Sequence, residues 1–183
     1  MASTSKTQWQ WQPMQAQHLP QVIAMMAAIY PDLPEDKASI ERKLQLYPKG
    51  CKVLCASEQD EIVGYMLSHP WKIGCIPNLN RRIDAIPVKP DCYFLHDLAL
   101  APKIRGQGAA KQAISHVMAL AQNEQLDLIA LVSVEQAVPF WFNQGFKTAT
   151  AMGLVPTLVD NPQFQQKLAT YGSEARYLLH PVI

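Results

Sequence analysis

At 183 residues the chain is the length of one domain and long enough to bury a sizeable core. Its 16 basic and 15 acidic residues leave a net charge of +1 with no block of like charge, which argues against the clustered Lys/Arg face of a nucleic-acid binder. Cys51, Cys55, Cys75 and Cys92 show no paired C-x-x-C spacing, so no metal site is expected and reduced, partly buried thiols are. The first twelve residues are polar and carry no apolar signal core. The longest aliphatic run, Val22 to Ile29, is too short for a bilayer, so no membrane partner is expected and a soluble cytoplasmic protein is.

In chain order, residues 1–6 read as a flexible tail, and 7–183 as one domain. Gln8 to Gln12 alternates with period two, a first strand. Leu19 to Tyr30 is helical, with Pro20 tolerated in the first turn, and Pro31 to Pro34 breaks it. A second helix spans Asp36 to Tyr47 and stops at Pro48-Lys49-Gly50. Lys52–Ser57 and Glu61–Ser68 form a hairpin across Glu58-Gln59-Asp60. From His69 to Asp91 runs an irregular stretch with four prolines, a length usual only for functional or mobile loops. A strand follows at 92–100, then a glycine-rich turn, a helix over 108–124 and a buried strand at 127–134. A helix at 136–144, a strand from Phe146, a short helix from Asn161-Pro162 to Tyr171-Gly172 and a last strand at 175–182 complete the chain. The order implies an α/β (α+β) fold, one mixed sheet with helices on its faces.

The most informative segment is Arg105-Gly106-Gln107-Gly108-Ala109-Ala110, between the strand at 92–100 and the helix that follows. A glycine turn opening a helix is an anion site: the first N–H groups have no intrahelical partner, and the helix dipole places partial positive charge there. The P-loop pattern G-x-x-x-x-G-K-[ST] does not fit Gly106 to Lys111. The dinucleotide pattern G-x-G-x-x-G puts Lys111 where its third glycine belongs, and Glu124 and Asp127 match its acidic residue poorly. The pattern [RQ]-x-x-G-x-[GA] is met by Arg105, Gly108 and Ala110.

On these residues the chain resembles the GNAT superfamily of acyl-CoA-dependent N-acetyltransferases. The Leu95-His96-Asp97-Leu98-Ala99-Leu100 run is similar to its fourth strand, and Ala137 to Phe146 to its A-x-x-F-Y-x-x-x-G-F segment. The resemblance is good over roughly residues 50–150, and implies a GNAT-like, mostly antiparallel sheet flanked by helices on both faces. It implies acetyl-CoA as co-substrate. Its pyrophosphate would sit on Arg105, Gly106, Gln107, Gly108, Ala109 and Ala110, and its pantetheine would pair with backbone near Leu98, Ala99 and Leu100 like an added strand. Phe140 and Trp141 complete the implied cofactor site. A backbone N–H near Leu98 or Leu100 would polarise the thioester carbonyl.

Acetyl transfer also needs a base for the amine proton. Many members carry a glutamate at the position of Phe94 or His96, acting directly or through water; arylalkylamine acetyltransferases match His96 with a histidine. Imidazole, with a pKa of about 6.5, accepts a proton near neutrality. His96 is therefore the expected catalytic residue, against the alternative of a histidine merely bonded within the sheet. In a regular strand 94, 96 and 98 share one face and 95 and 97 the other; Asp97 then reads as structural unless a bulge re-aims it. Trp141 departs from the family, where a tyrosine often protonates the leaving thiolate. Indole is no acid, which leaves water, Ser133 or Tyr171.

Substrate selection falls to the turn at 30–35 and the loop at 69–91. Asp32 and Glu35 offer carboxylates to an ammonium, Tyr30, Trp71 and Phe94 offer aromatic walls, and Arg81-Arg82 a site for a carboxylate. The expected activity is acetylation of a small-molecule primary amine by direct attack in a ternary complex, since no cysteine falls on a matched catalytic position. Protein or peptide N-acetylation is the enzymatic alternative, and a non-catalytic acyl-CoA-binding sensor the non-enzymatic one. Exposed strand edges are compatible with a homodimer.

Overall fold

A bulge in the central strand organises this molecule. The computed structural model describes residues 9–33, 35–56, 61–77, 79, 81–153 and 161–183; the expected tail at 1–6 and the hairpin turn at 58–60 lie outside them. The strands are β1 (Trp9–Pro13), β2 (Cys51–Ala56), β3 (Glu61–Trp71), β4 (Cys92–Leu100), β5 (Leu128–Ser133), β6 (Lys147–Thr148) and β7 (Arg176–Pro181). The helices are α1 (Leu19–Ile29), α2 (Lys37–Leu46), α3 (Ala109–Asn123), α4 (Val138–Asn143) and α5 (Pro162–Ala169). The strands form one seven-stranded sheet in the order β1-β2-β3-β4-β5-β7-β6. Every neighbouring pair is antiparallel except β4 with β5.

Three apolar clusters place the layers. Trp11, Leu54, Tyr93, Leu95, Ile129 and Leu131 pack on one face with Ala113 and Val117 of α3 and Trp141 of α4. On the other face, Val22 and Met26 of α1 and Ile40 of α2 meet Val53, Tyr65 and Leu67. Beside them Phe164 of α5 packs with Phe94, Ala130, Tyr177 and Leu179. α2 starts where Asp36 accepts a hydrogen bond from Ser39 N at 2.7 Å, which satisfies one of the orphan donors of its first turn.

β3 runs three residues further than the proline-rich reading of 69–91 suggests. It does so through Pro70, opposite Tyr93, where β2 has already ended at Cys51↔Leu67 and one edge of β3 is free.

In the β3–β4 ladder Ser68 faces Leu95 and Leu67 faces Asp97, so His96 is an extra residue. The extra residue reverses the side-chain alternation. Leu95 and Leu98, three apart, both pack toward α3, while Phe94 and Ala99 face the opposite side. The regular-strand expectation is corrected at this point: Leu98 leaves the face of Phe94, and Asp97 joins it.

The bulge also bends β4 away from β5. Their parallel pairing consists of Tyr93↔Ile129 and Phe94↔Ala130, after which β4 continues to Leu100 and β5 to Ser133 without pairing. Among the described residues, the splayed strands leave β4 beyond Phe94 without a strand partner on its β5 side, and backbone groups on such an edge seek partners.

Candidate active site

Between the splayed strands lies a cleft of about 570 Å³, walled by residues 95–100 of β4, 131–133 of β5 and Val134 just after it. The turn after α1 contributes Tyr30, Leu33 and Glu35, and Leu79 and Tyr171 close one side. Arg105, Gly106, Ala110, Phe140 and Trp141 line the other end.

The glycine turn is open and left-handed. Gly106 and Gly108 have φ of 77° and 88°, and a Cβ added to either would meet nothing within 4 Å. Such backbone favours glycine, and the open space above it admits a ligand close to the chain. Gly108 is the N-cap of α3, and no side chain caps that helix start, so its first N–H groups remain available. The turn is pinned from three sides. Arg105 Nε donates to Leu100 O at 3.2 Å, Gln107 Nε2 to Lys103 O at 2.7 Å, and Trp11 Nε1 to Ala109 O at 3.1 Å. Of the six residues of the turn, Arg105, Gly106 and Ala110 line the cleft, whereas Gln107, Gly108 and Ala109 do not. Trp141, 7% exposed, stacks edge-on with Phe140 and Phe146 at 5.0 and 5.1 Å.

His96 lies at the bulge with its side chain 3% exposed. Its Nε2 is 3.1 Å from Glu35 Oε2, and its Nδ1 is buried without a partner among the described residues. Burial, and then the charge of Lys43, hold its pKa below the usual histidine value. It is therefore neutral at physiological pH, with Nε2–H donating to Glu35 and a lone pair on Nδ1.

Glu35 is enclosed. Its Oε1 accepts from Lys43 Nζ at 2.7 Å and from Ser39 Oγ at 3.0 Å. Burial alone would raise its pKa, but the paired His96 and Lys43 hold it well below the ordinary carboxylate range.

Asp97 accepts a hydrogen bond from Tyr65 Oη at 2.5 Å. Burial pushes its carboxyl up to about 7, against the help of Tyr65. A raised carboxyl pKa means that the folded chain binds the proton more tightly than the unfolded one, whose Asp titrates near pKa ~3.9. The contribution of this group to stability is thus full below about pH 4 and falls as pH rises toward 7. Asp97→Asn is expected to raise the melting temperature at pH 8 and to leave it nearly unchanged at pH 4. Melting curves at the two pH values check this; equal shifts at both would refute it.

Of the remaining expected site residues, Tyr30, Leu98, Ala99 and Leu100 reach the cleft. Three do not line it. Asp32 is exposed; Trp71 donates through Nε1 to Cys75 O at 2.7 Å; Phe94 is 2% exposed, in the core beside α5. The two hydroxyls considered as replacement acids are already donating: Ser133 Oγ to Val134 O at 3.0 Å and Tyr171 Oη to Pro77 O at 2.8 Å. Lys43 gave no signal in the sequence. Alternation argued against Asp97, and a reliable pointer to it would have required foresight of the bulge.

Comparison with known proteins accords with this geometry. Residues 9–146 match the model of the family described as the acetyltransferase (GNAT) family. No match was found among curated protein sequences. The fold is similar to a GNAT family N-acetyltransferase, YhbS, from Escherichia coli in complex with CoA, at 15% identity and a TM-score of 0.60, over 100% of this chain and 86% of that one. It is similar to N-acetylglutamate synthase from Neisseria gonorrhoeae complexed with coenzyme A and N-acetyl-glutamate, at 11% identity and a TM-score of 0.67, over 98% of this chain and 36% of that one. Naa50 from Arabidopsis thaliana, in complex with the bisubstrate analogue CoA-Ac-MVNAL, aligns at 14% identity and a TM-score of 0.62, over 93% of this chain and 96% of that one.

Proposed function

The chain belongs to the GNAT family of acetyltransferases, and we propose that it transfers an acetyl group from acetyl-CoA to a small-molecule primary amine, with His96 as the base. The observation that carries this reading is the arrangement at the bulge. An imidazole whose Nδ1 has no partner among the described residues stands beside a stretch of β4 that lacks a partner strand on its β5 side and leads to an open glycine turn.

The residues present fit the cofactor. The glycine turn and the start of α3 would hold the pyrophosphate through backbone N–H groups, with Arg105 beside them. The free edge of β4 would pair with the amide-bearing pantetheine arm. Acetyl-CoA, once bound, supplies the acetyl thioester. N–H groups near Leu98 and Leu100 polarise its carbonyl. The carboxylate of Asp97, titrating near neutrality, draws the substrate ammonium into the cleft. His96 takes the amine proton on Nδ1; the C–N bond forms as the C–S bond breaks, and CoA departs as the thiolate. With Trp141 in place of an acid and the neighbouring hydroxyls committed, water meets the thiolate.

The enclosure supports a small acceptor. Leu33, Leu79 and Tyr171 close around a cleft of about 570 Å³, within the range of small-molecule sites. Release of CoA thiol, followed over a panel of small primary amines and short peptides, tests the proposal. Turnover with a small amine and none with peptides is expected. Turnover with peptides alone would move the assignment to peptide N-acetylation, and binding without turnover for any acceptor would make the chain a sensor.

A further inference from the structure

The base does not stand alone. We propose that Glu35 and Lys43 are positioning residues for His96: the carboxylate grips the imidazole by Nε2, and the lysine keeps the proton off Nδ1. This rests on the assignment of His96 as the base.

The three side chains form a buried row, Lys43 Nζ to Glu35 Oε1 at 2.7 Å and Glu35 Oε2 to His96 Nε2 at 3.1 Å. Their side chains are 1%, 4% and 3% exposed. A buried carboxylate beside an imidazole would ordinarily draw a proton onto it and make an ion pair, and a protonated imidazole cannot act as a base. Here Lys43 already supplies the positive charge. A second proton would leave a net positive charge on this buried row, and that is costly. The imidazole therefore stays neutral, and Glu35, which can only accept, fixes the Nε2–H tautomer.

The other groups around His96 do not alter this balance. His69 of β3, its ring centroid 6.2 Å away, is held neutral by burial, which pushes its pKa down to about 3. Asp97, which accepts from Tyr65 Oη, is held largely uncharged below about pH 7 by burial, and the Tyr30 and Tyr171 hydroxyls stay protonated because burial raises them. Ser39 completes the lysine side, with Lys43 Nζ donating to Ser39 Oγ at 2.9 Å.

Long-range proton–nitrogen NMR of the ¹⁵N-labelled protein, with the His96 signals assigned by loss in His96→Gln, reads tautomer and titration without any substrate. The wild type is expected to show the Nε2–H tautomer at pH 7. Lys43→Met should move the His96 midpoint up by about one pH unit or more, and Glu35→Gln should move it down. A Nδ1–H tautomer in the wild type, or an unchanged midpoint in a folded Lys43→Met protein, would overturn the proposal. Both readouts are separate from turnover: inactivity of the wild type toward every acceptor would sink the function assigned above and leave this arrangement standing.

Discussion

Glutamate in place of Gly108 is expected to abolish acetyl-CoA binding. Gly108 has φ of 88° and caps the uncapped start of α3, where the pyrophosphate is assigned. Two effects would act together. Any L residue at this φ strains the turn by roughly 1 kcal/mol. A carboxylate placed near a doubly charged pyrophosphate adds like-charge repulsion, about 4 kcal/mol for one pair of unit charges at ~4 Å near a surface. Gly108→Ala separates the two, because it carries the strain without the charge and a Cβ there meets nothing within 4 Å. The expected result is a loss of about fivefold to tenfold for alanine and on the order of several hundredfold or more for glutamate, read by calorimetric titration with acetyl-CoA. Equal, small losses for both would remove the pyrophosphate from this turn.

His96→Ala is expected to lower kcat by roughly 10² to 10⁴ at neutral pH, the usual contribution of a positioned general base. The apparent affinity for acetyl-CoA should change little, since the glycine turn and the β4 edge are backbone sites that the substitution leaves in place. The pH profile gives the sharper reading. Burial and Lys43 lower the His96 pKa, so the acid limb of kcat/KM in the wild type should fall below the ordinary histidine value of about 6.5. In the alanine variant that limb should flatten. A variant with wild-type rate, or an acid limb that persists unchanged, would mean that His96 only packs the sheet.

Much of this architecture is written locally. The strand expected at 92–100 spans those residues in the structure, because its mostly apolar run, interrupted only by His96 and Asp97, is bounded by Asp91 and by the Pro102 turn. Helix α3 begins one residue after Gly108, where the glycine turn said it should. The left-handed glycines of the turn at 105–110 were legible for the same reason: the turn is a property of six consecutive residues. The catalytic surroundings were not, because they depend on register. His96 and Glu35 are 61 residues apart in the chain and meet only when β4 and the start of α2 are packed together, and the bulge then brings Asp97 onto the same face. Nothing in the Leu95–Leu98 side chains announces a bulge; it belongs to the way β3 and β4 pair. The aromatic expectations met a different obstacle. Phe94 and Trp71 look alike in the sequence whether they line a cleft or a core, and Phe94 is claimed by the packing of Phe164, Tyr177 and Leu179. Asp32 and Glu35 sit three residues apart in one acidic turn, yet one faces solvent and the other is sealed against Lys43. The deciding partner lies a further two turns along α2.

The central claim is that the cleft between β4 and β5 is an acetyl-CoA site. Thermal unfolding with and without saturating acetyl-CoA, against ATP and NAD as controls, tests it most directly. At a concentration of 100 times Kd a ligand bound only by the folded chain adds about 2.7 kcal/mol of stability. The predicted result is a clear upward shift in melting temperature with acetyl-CoA, none with ATP or NAD, and no shift in the Gly108→Glu protein. No shift of the wild type with acetyl-CoA, or an equal shift with ATP, would contradict the assignment of the glycine turn and of the function built on it.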